Sequence, residues 1–373
     1  MKTPKLFFLS ALLLTFGACT KTTSPLLPPE FSIPAITNDG WAVSSLKAQN
    51  IDVSQMAEAD KVLKNDQSFR NIHTLTIARN GKLVFDEFYH PGPYGYHKGD
   101  LAIMMSVTKS FTSIMTGITI DRGLIKNVNQ TAQSLLPGLK DIDWATGKDK
   151  ITLENILTMS AGFAGMEDSD SLLADNYARY MFSKPLVHTP GTTFDYRTAL
   201  TNTIGDVLTT AISPLHISLE KFMGSLFFKP LEIKNYDWYY RNEKGQPELG
   251  GGLFLAPRDM IKLGQLVLDK GAWNGRQIVS ENWIAEATKE HFHFDQRYWG
   301  ELDGYGYLFW QRTLVSNSES FSSIIALGYG GQYIVIIPSL HTVIAITSWF
   351  PKDNGWQLPL RFIERYLLPA LKH

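Results

Sequence analysis

The chain has 373 residues, 44% hydrophobic and 19% charged, with 35 Lys+Arg against 36 Asp+Glu. This composition supplies a full core, excludes intrinsic disorder, and leaves no cationic field for gathering phosphates, so it argues against a nucleic-acid partner. A single cysteine closes no intramolecular disulfide and builds no thiolate zinc site, so the fold must stand on packing.

Met1 to Cys19 begins with Lys2 and Lys5, continues through the apolar run Leu6 to Phe16, and ends in Gly17-Ala18-Cys19. The run is too short to span a bilayer and reads as the core of a secretory signal. Small residues before a cysteine resemble a bacterial lipobox, which would make Cys19 the lipidated first residue of a mature protein whose body is soluble. Thr20 stands where inner-membrane retention in Gram-negative bacteria is associated with aspartate. The expected address is therefore the cell envelope, on the periplasmic face of the outer membrane. Residues 20–40 carry Pro25, Pro28, Pro29 and Pro34 among Ser and Thr, the composition of an extended tether.

The folded part opens with a helix over Gln55 to Asn65. Two strands follow, Ile72 to Ala78 and Lys82 to Tyr89, joined by Asn80-Gly81, a strong hairpin signal. From Ser106 an apolar helical face, Val107, Phe111, Ile114, Met115 and Ile118, runs toward Gly123. The stretch 127–247 reads as mainly helical, and Ala256-Pro257-Arg258-Asp259 opens another helix that ends at Gly271. Strand chemistry returns at Tyr305 to Gln311, Phe321 to Leu327, Gln332 to Ile337 and Thr342 to Ser348, before a closing helix over Leu358 to Leu371. The expected architecture is α+β: one antiparallel sheet built from both chain ends (41–126 and 248–373), flanked by helices, with a helical domain at 127–247 and a cleft between the two.

Ser-x-x-Lys occurs at Ser44 to Lys47, Ser106 to Lys109 and Ser218 to Lys221. Only Ser106 opens a strongly amphipathic helix after an apolar approach, Leu101 to Met105. There Ser106 and Lys109 share one face of the first turn, and the unpaired N–H groups favour developing negative charge. A serine hydroxyl needs a base to become a nucleophile, and a lysine serves as a neutral base only if its pKa falls by about three units. A nearby tyrosine offers a second route, and the residues leave open which of the two holds the proton.

Two further elements are bland alone: Pro190-Gly191-Thr192-Thr193-Phe194-Asp195-Tyr196-Arg197-Thr198, and Gly328-Tyr329-Gly330-Gly331-Gln332, whose glycines let a backbone approach a ligand or form a hairpin. Together, Ser106-Val107-Thr108-Lys109, Tyr196-Arg197-Thr198 and Tyr329-Gly330-Gly331 resemble the three motifs of the serine β-lactamase and penicillin-binding-protein superfamily. Leu157 to Phe163, the turn at Pro190, and Ala256 to Asp259 with Trp273-Asn274-Gly275 resemble its class C branch. The resemblance implies Ser106 as acylated nucleophile, Lys109 as proton partner, Tyr196 as general base, an oxyanion hole from the N–H groups of Ser106 and Gln332, and substrate contacts from Thr198, Tyr329, Gly330 and Gly331.

Two positions depart from the superfamily pattern. Thr198 replaces the usual Asn, and Tyr329 stands where a Lys or His would meet a substrate carboxylate, unless Arg197 supplies the cation. The Gly-Tyr-Gly-Gly-Gln segment is similar to that of 6-aminohexanoate-dimer hydrolases and related esterases. The implied activity is therefore amide or ester hydrolysis of a small-molecule or short peptide substrate. β-Lactamase or D,D-carboxypeptidase activity is the alternative, and a lipid-anchored non-catalytic binder a further one. His291-Phe292-His293 lacks a third histidine at Gln296 and reads as a polar aromatic surface segment, so no metal or other cofactor is expected.

Overall fold

The computed structural model describes residues 31–93, 96–164, 174, 176–238, 245–350 and 353–372. Cys19, the expected signal segment and residues 20–30 lie outside them, whereas residues 31–40, expected as tether, pack on the body: the Phe31 ring meets Phe85, and Arg258 donates to Asp39 and the Ala35 carbonyl. Among the described residues no helix is long and apolar enough to cross a membrane.

Nine strands form the main sheet, in the order Ala42–Val43, Lys82–Phe88, Ile72–Arg79, Thr342–Ser348, Gln332–Ile337, Glu319–Gly328, Trp310–Ser316, Leu302–Tyr305 and Phe292–Tyr298. The sheet does assemble from both chain ends, because Thr342–Ser348 pairs antiparallel with Ile72–Arg79. Asn80 and Gly81 take φ of 51° and 73° and close the N-terminal hairpin. Gln332–Ile337 is buried on both faces. Ile334 and Ile336 meet the helix Pro257–Leu268 at Gly264, whereas the Tyr333 hydroxyl bonds the Trp356 carbonyl on the opposite side. That double burial explains its unbroken apolar run.

The sheet corrects three expectations. It is mixed, since Ala42–Val43 pairs parallel with Lys82–Leu83. The strand expected at Tyr305 to Gln311 is broken: Leu302–Tyr305 ends, Leu308 turns at φ 62°, and Trp310–Ser316 begins. Phe292–Tyr298, read as a surface segment, is the edge strand; its alternate aromatics Phe292, Phe294 and Tyr298 pack on Phe194.

The helix Val53–Asn65 is capped by Asp52, which accepts from the Ser54 and Gln55 N–H groups. Residues 127–247 carry the helices Ala132–Leu135, Leu153–Leu157, Tyr177–Ser183, Thr198–Ile212 and Leu219–Met223. They also carry a strand, Tyr236–Trp238, which joins Leu253–Leu255 and Ala102–Ile103 in a small antiparallel sheet. Met104 N–H extends this contact to the Leu253 carbonyl at 2.8 Å. Two chain segments more than a hundred residues apart are thereby clamped side by side, immediately before Ser106 and immediately after Gly250.

Candidate active site

Met105, two residues before the helix Val107–Asp121, lies in the left-handed region at φ 47°. A non-glycine residue there is strained, and such strain persists only where surrounding structure holds it. It turns the chain sharply, so that Ser106 enters the helix already in right-handed geometry and makes no side-chain cap hydrogen bond. One turn later the Lys109 amine donates to Ser106 Oγ at 3.0 Å, Thr198 Oγ1 at 2.9 Å and the Gly250 carbonyl at 2.6 Å. Lys109 is only 2% exposed. Three oxygens match the three donors of an ammonium.

Tyr196 sits over the same amine, with Lys109 Nζ 5.0 Å from its ring centroid. The ring is walled by Trp299, Tyr305 and Trp310, at centroid distances of 5.4, 6.2 and 5.3 Å. Thr198 begins the helix Thr198–Ile212, so Tyr196 and Thr198 reach Lys109 from one short segment. Arg197, between them, faces elsewhere. Its guanidinium is 5% exposed, pairs with Asp195, and donates to the Phe163 and Ala164 carbonyls. It ties two loops together and does not replace the cation absent from Tyr329.

The glycine segment is a hairpin turn between Glu319–Gly328 and Gln332–Ile337, with Gly330 and Gly331 at φ 79° and 91°. Its root touches the segment that leads into the Ser106 helix: a Cβ on Gly328 would lie 2.4 Å from the Met104 carbonyl oxygen and 3.1 Å from Met105 Cβ. Only glycine permits that approach. Gly330 and Gly331 face away, against Trp349 and Ser348 respectively, and Tyr329 is 58% exposed against Trp349. Gln332 does not fit the oxyanion role inferred for it. It opens an interior strand, pairs with Gly328, and bonds the Ser348 backbone through its side chain.

The free edge lies earlier. Pairing of Glu319–Gly328 with Trp310–Ser316 ends at Ile325, so the strand from Ala326 to Gly328 has no partner on that side. The Gly328 carbonyl accepts the turn N–H of Gly331 at 3.1 Å, so Gly328 points its peptide groups into the hairpin. Strand alternation then aims the Leu327 N–H at the open edge, and the trans peptide aims the Tyr329 N–H the same way, opposite the Gly328 carbonyl.

Sequence reasoning also missed Glu248. It is 1% exposed, and its Oε1 accepts the Gly250 N–H at 3.1 Å, next to the carbonyl that binds Lys109. Burial raises its carboxyl above the ordinary range, while Lys109 and the hydrogen bonds from Asn202, Gly250 and Gly251 oppose the rise. No motif marks it, because its position depends on the clamp between Ala102–Ile103 and Leu253–Leu255.

A serine and a lysine on one helix turn beneath a tyrosine, beside a sheet edge and between a mixed sheet and a helical section, define an α+β fold of the serine β-lactamase and penicillin-binding-protein type. A family model confirms the class: the chain belongs to the Beta-lactamase family, matched over residues 73–355. Members of this family include esterases, amidases and penicillin-binding-protein-like hydrolases.

Among curated relatives, a protein named Beta-lactamase from Escherichia coli (strain K12) is 26% identical over 220 residues, 55% of this chain and 55% of that protein. The match thus spans about half the relative's length. A 6-aminohexanoate-dimer hydrolase from Paenarthrobacter ureafaciens is 22% identical over 297 residues, 74% of this chain and 73% of that one. A solved family VIII carboxylesterase shares the fold with a TM-score of 0.66 at 15% identity, over 88% of this chain and 98% of that chain.

Proposed function

We propose that the protein is a serine hydrolase that cleaves esters or linear amides through an acyl-enzyme on Ser106. The supporting observation is the buried Lys109 amine, 3.0 Å from Ser106 Oγ and 5.0 Å from the Tyr196 ring. In this reading Lys109 acts as the ammonium, and its charge favours the phenolate of Tyr196 as base. Tyr196 takes the Ser106 proton as Oγ bonds the substrate carbonyl carbon. The carbonyl oxygen becomes the oxyanion, received by the N–H groups of Ser106 and Tyr329, each contributing about 10² to 10³ in rate. Collapse of the intermediate breaks the bond to the leaving alcohol or amine, which takes the proton back from Tyr196. Water, deprotonated in the same way, then releases the acid and frees Ser106.

The uncharged Tyr329 and the engaged Arg197 favour substrates without a carboxylate beside the scissile bond. The 6-aminohexanoate-dimer hydrolase and carboxylesterase likenesses support amides and esters as substrates. A panel of p-nitrophenyl esters, linear amide oligomers, nitrocefin and D-Ala-D-Ala peptides tests this reading, with ester or linear amide turnover expected to dominate. Nitrocefin turnover far above ester turnover would instead assign a β-lactamase. A fluorophosphonate adduct on Ser106, read by intact mass, separates either enzyme from a non-catalytic binder. We further propose that Cys19 carries a lipid that holds the protein to the envelope membrane, which the mass of the native N-terminal peptide tests.

A further inference from the structure

Among the described residues, five hairpin turns pass through two successive residues at positive φ: Asn80-Gly81, Asn274-Gly275, Asn317-Ser318, Gly330-Gly331 and Trp299-Gly300. In four of them the first residue is Asn or Gly, the types that enter the left-handed region at least cost. In the fifth it is a tryptophan, at the same φ of 51° as Asn80. The Glu301 N–H closes that turn on the Tyr298 carbonyl at 3.1 Å, and the Gln357 amide donates to the Trp299 carbonyl at 3.3 Å, so the surrounding structure holds the strained residue in place. The backbone of this turn calls for Asn. What a tryptophan adds there comes from its side chain.

Trp299 is 49% exposed, and among the described residues only Tyr329, on the glycine hairpin, is a second exposed aromatic side chain. The indole rests on Tyr298, Trp310 and Trp356, at centroid distances of 4.8, 5.5 and 6.1 Å, and on Tyr196 at 5.4 Å. Tyr196 is the group that returns a proton to the leaving alcohol or amine, so the leaving atom is held at its hydroxyl. A substituent on that atom is then one ring away from an indole that is still half open to solvent. An ammonium on the substituent would stand close to Lys109, whose amine is 5.0 Å from the same Tyr196 ring, and would be repelled. An uncharged ring meets the indole stacked or edge-on and covers its remaining apolar surface.

We propose that Trp299 determines specificity: its exposed indole receives an aromatic group carried by the leaving alcohol or amine, so that the preferred substrates bear a ring on the leaving side of the scissile bond. The choice of side rests on the role given to Tyr196 in acyl transfer; the ring-binding surface does not. Benzyl acetate and methyl phenylacetate are isomers with the same ring on opposite sides of the ester, and they separate the two sides. Trp299→Asn installs the residue that three of the other four turns carry. It is expected to lower kcat/KM about tenfold for benzyl acetate and no more than about threefold for methyl phenylacetate, and Trp299→Phe, which keeps a ring, is expected to recover most of the loss. A purely structural Trp299 gives equal losses on both isomers. Equal losses overturn the proposal, as does the larger loss falling on methyl phenylacetate.

Binding is measured separately, by NMR titration of the full-length Ser106→Ala protein. Adding Trp299→Asn is expected to weaken benzyl acetate about five- to tenfold, and unchanged affinity overturns the proposal. If the Asn variant fails to fold, the Ser106→Ala protein alone decides: benzyl acetate is expected to bind about tenfold tighter than propyl acetate, and equal affinities overturn the proposal. A wild-type protein that hydrolyses neither isomer, while its Ser106→Ala form binds benzyl acetate through Trp299, would keep the aromatic surface and lose the enzyme.

Discussion

Ser106–Lys109 and Ser218–Lys221 have the same three-residue spacing and both open a helix, yet only one of them draws its lysine into a buried cluster. Ser218 is extended, at φ −70° and ψ 155°, and its hydroxyl accepts the Lys221 backbone N–H at 3.2 Å. That is an ordinary helix cap, and both side chains are exposed. Ser106 is already helical, at φ −66° and ψ −7°, so its hydroxyl is not committed to the cap. Its lysine is drawn inward by oxygens from Thr198 and Gly250. The difference lies upstream of the motif, in the left-handed Met105, and across the fold, in the two segments that supply the lysine's acceptors. The pattern alone specifies a cap; the tertiary partners turn it into a buried, hydrogen-bonded pair.

The most severe way to break the comparison is to remove each hydroxyl in turn. Ser106→Ala is expected to lower kcat/KM for p-nitrophenyl esters by at least about 10⁴-fold, whereas Ser218→Ala should stay within about twofold of wild type. Steady-state kinetics on both variants decides it, and equal losses would show that neither serine is special. The lysines come next. Lys109→Ala is expected to cost about 10² to 10⁴ in kcat, the range for loss of a positioned proton partner, and Lys221→Ala almost nothing. An active Lys109→Ala protein would remove the role given to the amine.

The N-terminal hairpin, the helix at Ser106 and the strands Gln332–Ile337 and Thr342–Ser348 were legible because local chemistry and burial pattern agree there. Asn80-Gly81 needs positive φ, and the late strands are apolar runs buried on both faces. Phe292–Tyr298 was not legible. It is an edge strand paired on one side only, and its intervening polar and charged residues hide the alternate aromatics that pack on Phe194. The Ser106, Lys109 and Tyr196 grouping was readable as a family resemblance. The point of close approach was not legible either, because consecutive glycines look like the contact, whereas the contact with Met104 and Met105 is made by Gly328, at the end of the preceding strand. Glu248 and the Gly250 carbonyl escaped notice because a backbone oxygen has no sequence signature and a lone glutamate is usually solvated.

Glu248 sharpens the comparison from behind the lysine. With the carboxyl buried two residues before the carbonyl that holds Lys109, Glu248→Gln replaces an acidic group that interacts electrostatically with Lys109 by a neutral amide of the same size. A drop in kcat of about tenfold is expected, equivalent to roughly 1.4 kcal/mol. Ester turnover unchanged in this variant would mean that Lys109 is set by its three oxygens alone.

The smallest effect reverses the order of the two serines. Because Ser218 Oγ satisfies a helix N–H, Ser218→Ala should lose about 1 kcal/mol of stability in urea unfolding. Ser106 caps nothing, so Ser106→Ala should cost less than Ser218→Ala despite its far larger effect on rate. Loss of activity at one position and loss of stability at the other, from the same substitution in the same motif, separates chemistry from capping. If Ser106→Ala proves the more destabilising of the two, then the hydroxyl is holding the helix and the assignment of its role begins to fail.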